Sequence, residues 1–169
     1  VTPAIVVMGP SGCGKSTLGA ALAARLGVPF IEGDALHPPE NLAKMAAGVP
    51  LDDADRAPFL DAVGAALAAR PEGAVASCSA LRRTYRDRLR ARAGRVAFVL
   101  PLAPRAVLAA RLAGRAGHFM PASLLDSQMA TLERPGADEL ACVVDAAAPP
   151  DAQVAAALSF LRDHGAHSA

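Results

Sequence analysis

Between the apolar run Ala4-Ile5-Val6-Val7-Met8 and the Ala/Leu-rich stretch 17–26 stands Gly9-Pro10-Ser11-Gly12-Cys13-Gly14-Lys15-Ser16, which fits Gly-x4-Gly-Lys-Ser at every position. Such a pattern requires a strand that delivers the backbone into a glycine-rich turn and a helix that leaves it. The glycines let successive N–H groups point at the β- and γ-phosphates of a nucleoside triphosphate, and the helix dipole is aimed at the same oxygens. Lys15 adds a point charge, and the Ser16 hydroxyl is placed for Mg²⁺. Residues Gly9 to Ser16, with Thr17 in the first helical turn, are therefore the candidate nucleotide-binding set.

The rest of the chain bounds what this loop can serve. A length of 169 residues suits one domain spanning 1–169 with a substantial core. The net charge is +1, from 17 basic and 16 acidic residues, so no global field attracts nucleic acid or a membrane. The most basic stretch, residues 82–92, reads as a solvated helix face and lacks the interleaved aromatics that stack on bases. Lys15 and Lys44 are the only lysines. Cys13, Cys78 and Cys142 lack metal-ligand spacing and read as packing residues. The apolar start is too short for a signal peptide, and no apolar run reaches the ~20 residues of a membrane span, so a soluble cytoplasmic protein is expected.

Read in order, helix 16–26 stops at Gly27, and Pro29-Phe30-Ile31-Glu32 forms a second strand ending at Gly33-Asp34. Ligands of open α/β sheets gather at the carboxyl ends of strands, which makes Asp34 the candidate general base. Residues 35–58 hold a short helix between proline and glycine stops and then a dense polar turn, the expected acceptor-binding insert. Helix 59–69, strand 74–78, helix 82–92, strand 96–100 and helix 104–113 follow. Arg111 and Arg115, one turn apart beside Gly117-His118-Phe119, fit a lid over about 114–121 that senses phosphate. Helix 122–132, a loop at 133–139, strand 142–145 and helix 151–163 complete the chain. Asp145, at the end of the last strand, is assigned a structural role, and the loop 146–150 is expected to flank adenine through its backbone. Short apolar strands alternating with helices specify a P-loop NTPase fold, with a parallel sheet flanked by helices and a short lid, of the adenylate- and shikimate-kinase kind. The guanine-reading pattern Asn-Lys-x-Asp does not occur.

Several stretches together resemble the gluconokinases, small P-loop kinases that phosphorylate D-gluconate on its 6-hydroxyl. They are the phosphate loop, Gly33-Asp34-x-Leu36-His37-Pro38, Asn41-x-x-Lys44-Met45, Gly48-x-Pro50-Leu51, Asp53-x-Asp55-Arg56-x-Pro58, Cys78-Ser79-Ala80-Leu81, Tyr85-Arg86-Asp87-x-Leu89-Arg90, Gly117-His118-Phe119 and Gln128-x-x-x-Leu132-Glu133. Arg82 stands where that family often has lysine, and Phe59 where it often has tryptophan. The resemblance implies ATP and Mg²⁺ as cofactors, with Lys15, Asp34, Arg111 and Arg115 as catalytic groups. An anionic polyol needs an arginine for its carboxylate and neutral hydrogen-bonding groups for its hydroxyls. The candidates are Asp34, His37, Lys44, Arg56, Arg86, His118 and Gln128, with Arg86 foremost for the carboxylate. A homodimer is compatible with the resemblance and rests on nothing else. A shikimate-type kinase and a nucleotide-binding module without turnover are the competing readings.

Overall fold

The computed structural model describes residues 2–114 and 122–165. Five strands form one wholly parallel sheet: β1 (Ala4–Val7), β2 (Phe30–Glu32), β3 (Ala74–Ser77), β4 (Val96–Leu102) and β5 (Ala141–Asp145), in the order β2-β3-β1-β4-β5. The three inner strands read Ala-Val-Ala-Ser, Ala-Ile-Val-Val and Val-Ala-Phe-Val-Leu-Pro-Leu, the near-continuous apolar runs that a sheet covered on both faces requires.

Because side chains alternate along a strand, the sheet sorts its residues into two cores. Val6, Ala76, Phe98 and Leu100 meet Phe59, Leu60, Val63 and Leu67 of α3 (Asp53–Ala68) and Leu89 of α4 (Arg83–Ala93). Ile5, Val7, Val75, Ala97, Val99 and Val144 meet Leu18 and Leu22 of α1 (Lys15–Leu26) and Val154, Leu158 and Leu161 of α7 (Pro150–Asp163). The expected parallel sheet with helices on both faces is what forms.

Two connections position the site. β2 passes through a 3₁₀ turn, Gly33–Leu36, into α2 (Pro39–Ala46), and α2 leads to α3. Gly33 lies so close to β3 that a Cβ there would stand 1.7 Å from the Ser77 carbonyl oxygen, so only glycine lets the chain turn here. The polar turn expected before residue 59 is instead the first turn of α3. Asp52 accepts from the Asp55 N–H at 2.7 Å while Asp55 accepts from the Asp52 N–H at 3.0 Å, a capping box that starts the helix six residues early and carries it through Pro58. On the other side of the sheet β4 leads to α5 (Arg105–Ala113), and α6 (Ala122–Thr131) returns toward the phosphate loop. No described helix is long and apolar enough to cross a membrane.

Candidate active site

The phosphate loop joins β1 to α1 and is fastened at several points. Gly9 N–H donates to the Ser79 carbonyl at 3.0 Å, tying the loop to the end of β3, and the Lys15 ammonium donates to the Pro10 carbonyl at 3.2 Å. Gly12 has φ of +83°, and a Cβ on it would meet the Leu108 carbonyl at 2.9 Å, so α5 packs directly on the loop. Cys13 is fully buried beneath it among Leu108, Leu112, Leu125 and Ala146. Burial pushes its thiol pKa up, which leaves it a packing residue.

Two cavities flank this loop. On one side Ser11 and Lys15 share a cavity with Asp34, His37, Arg56 and Phe59, with Met45 and residues 49–51 of the insert, with Ser79 and Leu81 after β3, and with Leu124, Ser127 and Gln128 of α6. On the other side Gly12, Cys13, Gly14, Thr17 and Leu18 face Arg111, Gly114, Ala148, Pro150 and Gln153. The loop thus sits between two binding spaces.

In the first space the charged groups Lys15, Asp34 and Arg56 converge. Asp34 stands exposed in the 3₁₀ turn and its carboxylate has no hydrogen-bond partner among the described residues, so it caps no helix. Arg56 donates through Nη1 to the Tyr85 hydroxyl at 2.6 Å, and it is the only arginine in the described lining.

His37 stacks on Phe59 with ring centroids 3.6 Å apart. The buried Asn41 amide donates to the Asp55 carbonyl at 2.8 Å, which identifies that atom as nitrogen, so its 3.2 Å contact with His37 Nδ1 must also be a donation. His37 therefore carries its proton on Nε2. Burial lowers its pKa against the opposing influence of Asp34, with Arg56 lowering it further, and the ring is a neutral hydrogen-bond donor at pH 7.

Glu32, the last residue of β2, was not singled out in the sequence. Its Oε1 accepts from the Ser16 hydroxyl at 2.9 Å and from the Ser77 hydroxyl at 2.6 Å, and Ser77 Oγ in turn accepts from Gly33 N–H at 3.1 Å. The strand-end rule that brought out Asp34 applies equally to Glu32, two residues earlier. Ser16 and Glu32 together offer hard oxygen donors beside the loop, a set that fits Mg²⁺, which ordinarily draws its other ligands from water and phosphate.

Known proteins resemble this chain over most of its length. The AAA domain family matches residues 5–135. A gluconokinase of Gluconobacter oxydans is 52% identical over 150 residues, covering 87% of this chain and 84% of that protein. The chain belongs to the gluconokinase family. The thermoresistant gluconokinase of Escherichia coli is 40% identical over 161 residues, covering 93% of this chain and 92% of its own. The crystal structure of a gluconokinase from Sinorhizobium meliloti superposes with a TM-score of 0.89 at 52% identity, over 96% of this chain and 93% of that one.

Within this gluconokinase fold the expected ligands separate into two groups. Asp34, His37, Arg56 and Gln128 line the first cavity. Gln128 also reaches the phosphate loop, its Oε1 accepting from Ser11 N–H at 2.7 Å. Lys44 and Arg86 do not line that cavity. Lys44 Nζ lies 2.8 Å from both Asp55 carboxylate oxygens and staples α2 to the start of α3. Arg86 is fully buried: Nε and Nη2 bind Glu139 at 2.8 and 3.0 Å, and Nη1 binds the Ala80 carbonyl at 3.0 Å. Its donors are committed to the fold, which corrects its expected place on the substrate carboxylate.

Arg111 lines the second cavity, where Nη2 donates to the Ala146 carbonyl at 2.5 Å. Asp145 folds back to accept from Ala147 N–H at 2.9 Å and shapes the loop 146–150, of which Ala148 and Pro150 line that same cavity. Arg115, His118 and the lid around them lie outside the described residues.

Proposed function

We propose that this gluconokinase-family protein transfers the γ-phosphoryl group of ATP to the 6-hydroxyl of D-gluconate, giving 6-phospho-D-gluconate and ADP. The observation that carries this reading is the cavity in which Lys15 and Asp34 face one space with Arg56, the one arginine among its described lining residues, for an acceptor anion. One domain, residues 1–169, binds both substrates.

The residues divide the work. The N–H groups of the phosphate loop and Lys15 hold the β- and γ-phosphates in the orientation that transfer requires. Ser16 and Glu32 would hold Mg²⁺, which would supply charge neutralisation on the phosphates. Asp34 orients the 6-hydroxyl and accepts its proton as the oxygen bonds to phosphorus and the bond to the ADP oxygen breaks. Arg56 binds the carboxylate at the far end of the sugar acid, where a planar guanidinium gives paired hydrogen bonds. The Nε2–H of His37 and the side chain of Gln128 serve the intervening hydroxyls. Arg111 fixes the nucleotide from its own side of the loop, and Arg115 and His118 act from the lid, whose closure excludes water. The reading places the enzyme in the cytoplasm, where ATP is at hand.

Coupled ADP release with Mg-ATP and D-gluconate, run beside Asp34→Asn, tests this. Gluconate-dependent turnover is expected in the intact protein, with kcat lowered about 10²–10⁴-fold in the variant and the KM for ATP little changed. Absence of gluconate-dependent turnover in the intact protein would overturn the acceptor assignment.

A further inference from the structure

Arg56 is not a freely swinging side chain, and what holds it is a hydroxyl on another element. Arginine can only donate, so the 2.6 Å contact between Arg56 Nη1 and the Tyr85 hydroxyl makes the phenolic oxygen the acceptor. The phenol proton must then point elsewhere, and the Asp53 carboxylate stands 2.6 Å away to receive it. The chain of donation is Arg56 to Tyr85 to Asp53. It joins the first turn of α3, which carries Asp53 and Arg56, to α4, which carries Tyr85.

The geometry fits a positioning device. Tyr85 is 5% exposed, its ring packed in the core beside Phe59 and Leu89, so the hydroxyl is a fixed point. The Arg56 guanidinium carbon lies 5.0 Å from the centre of that ring. With Nη1 engaged by Tyr85, the Nε and Nη2 edge has no partner among the described residues, while the side chain lines the acceptor cavity. That edge is the one an incoming carboxylate binds in paired fashion. Asp53 makes no ion pair with Arg56 and so does not neutralise it directly; it sets the direction of the phenol proton.

We propose that Tyr85 and Asp53 are positioning and specificity-determining residues that act through Arg56, holding its guanidinium edge-on to the acceptor's carboxylate and so selecting a sugar acid over the neutral polyol of the same chain length. This deepens the proposed function and rests on it. Freezing the guanidinium before the substrate arrives removes an ordering cost that a long, free arginine would otherwise meet on binding.

The test is steady-state kinetics with D-gluconate and with D-glucitol, which lacks only the carboxylate end. Tyr85→Phe keeps the buried ring and removes the hydroxyl. It is expected to raise the KM for gluconate about tenfold, leave kcat and the KM for ATP within about twofold, and lower the gluconate-to-glucitol ratio of kcat/KM by a similar factor. Asp53→Ala, on an exposed helix turn, is the second variant should Tyr85→Phe fail to fold, with an expected rise of about threefold.

A double-mutant cycle with Arg56→Gln decides whether the effect passes through Arg56: in that background the Tyr85→Phe penalty should vanish. An unchanged gluconate KM in both variants overturns the proposal. So does a penalty of undiminished size in the Arg56→Gln background, or a parallel rise in the KM for ATP, either of which marks a merely structural role. A wild-type protein inactive on gluconate is a separate result, which removes the proposed function itself.

Discussion

Glu139→Gln is the perturbation whose size follows most directly from the structure. The Glu139 side chain is 2% exposed, and its two oxygens accept from Arg86 Nε at 2.8 Å, Arg86 Nη2 at 3.0 Å, Arg90 Nη2 at 3.1 Å and Gly136 N–H at 2.9 Å. Burial on its own would raise this carboxyl's pKa, but the hydrogen bonds from Arg86 and Gly136 and the charges of Arg86 and Arg90 outweigh it and carry the value down from 4.5 to about 2. A depressed folded-state pKa means stability that is fully present above the unfolded value and is lost as pH falls toward the folded one. The shift corresponds to about 3 kcal/mol at pH 7, shrinking to less than half of that by about pH 3.

Replacing Glu139 by glutamine leaves the fully buried Arg86 guanidinium with no opposing charge, a loss of the same order, about 3–5 kcal/mol. Urea unfolding of both proteins from pH 7 down to about pH 3 measures the gap. It should be widest at neutral pH and narrow by about 2 kcal/mol at the acid end, with a fall in melting temperature of about 6–20 °C at pH 7. A gap below about 1 kcal/mol, or one that does not change with pH, would refute the argument that this ion pair anchors the segment leading from α6 to β5.

Two further outcomes follow from the site. His37 should show, by ¹⁵N NMR of its ring at pH 7, an unprotonated Nδ1 and a protonated Nε2, and should resist protonation as pH drops through 6.5, because burial lowers its pKa from that ordinary value; a ring protonated at or above 6.5 would remove the Asn41 donation on which the tautomer rests. Glu32→Gln keeps an oxygen able to accept from Ser16 and Ser77 and so should leave stability nearly unchanged, while raising the Mg²⁺ concentration for half-maximal rate about tenfold or more; an unaltered Mg²⁺ titration would take Glu32 out of the metal's surroundings.

How legible the site was depended on whether a residue's role is local. The phosphate loop and Asp34 announce themselves because backbone geometry and strand-end position are written in neighbouring residues. Lys44 and Arg86 were misplaced for the opposite reason: their partners Asp55 and Glu139 lie 11 and 53 positions away, and nothing in a helix face shows which charge the fold will bring to it. A like-charged pair such as Arg86 and Arg90 suggests a ligand between them, and here that place is taken by the chain's own Glu139. Pro58 misled differently. It reads as a stop, but the Asp52–Asp55 capping box had already begun the helix, and reciprocal capping by two aspartates is easily taken for a polar turn.

The same contrast separates the two halves of the site physically. Lys15, Ser16, Glu32 and Asp34 sit at the carboxyl ends of strands, or one turn beyond, where the sheet and its two cores fix them. The acceptor side is fastened by polar contacts: Asn41 to the Asp55 carbonyl and Lys44 to the Asp55 carboxylate, with the Lys44 side chain 40% exposed. An ion pair that open contributes little to stability. Apart from the His37 stack on Phe59 and Leu36 at the core's edge, the insert that carries His37 has fewer buried contacts than the phosphate loop. Opening of the acceptor cavity should involve movement of α2 against α3 while the phosphate site stays in place, and changes of acceptor preference are accessible through residues 35–58 without cost to nucleotide binding.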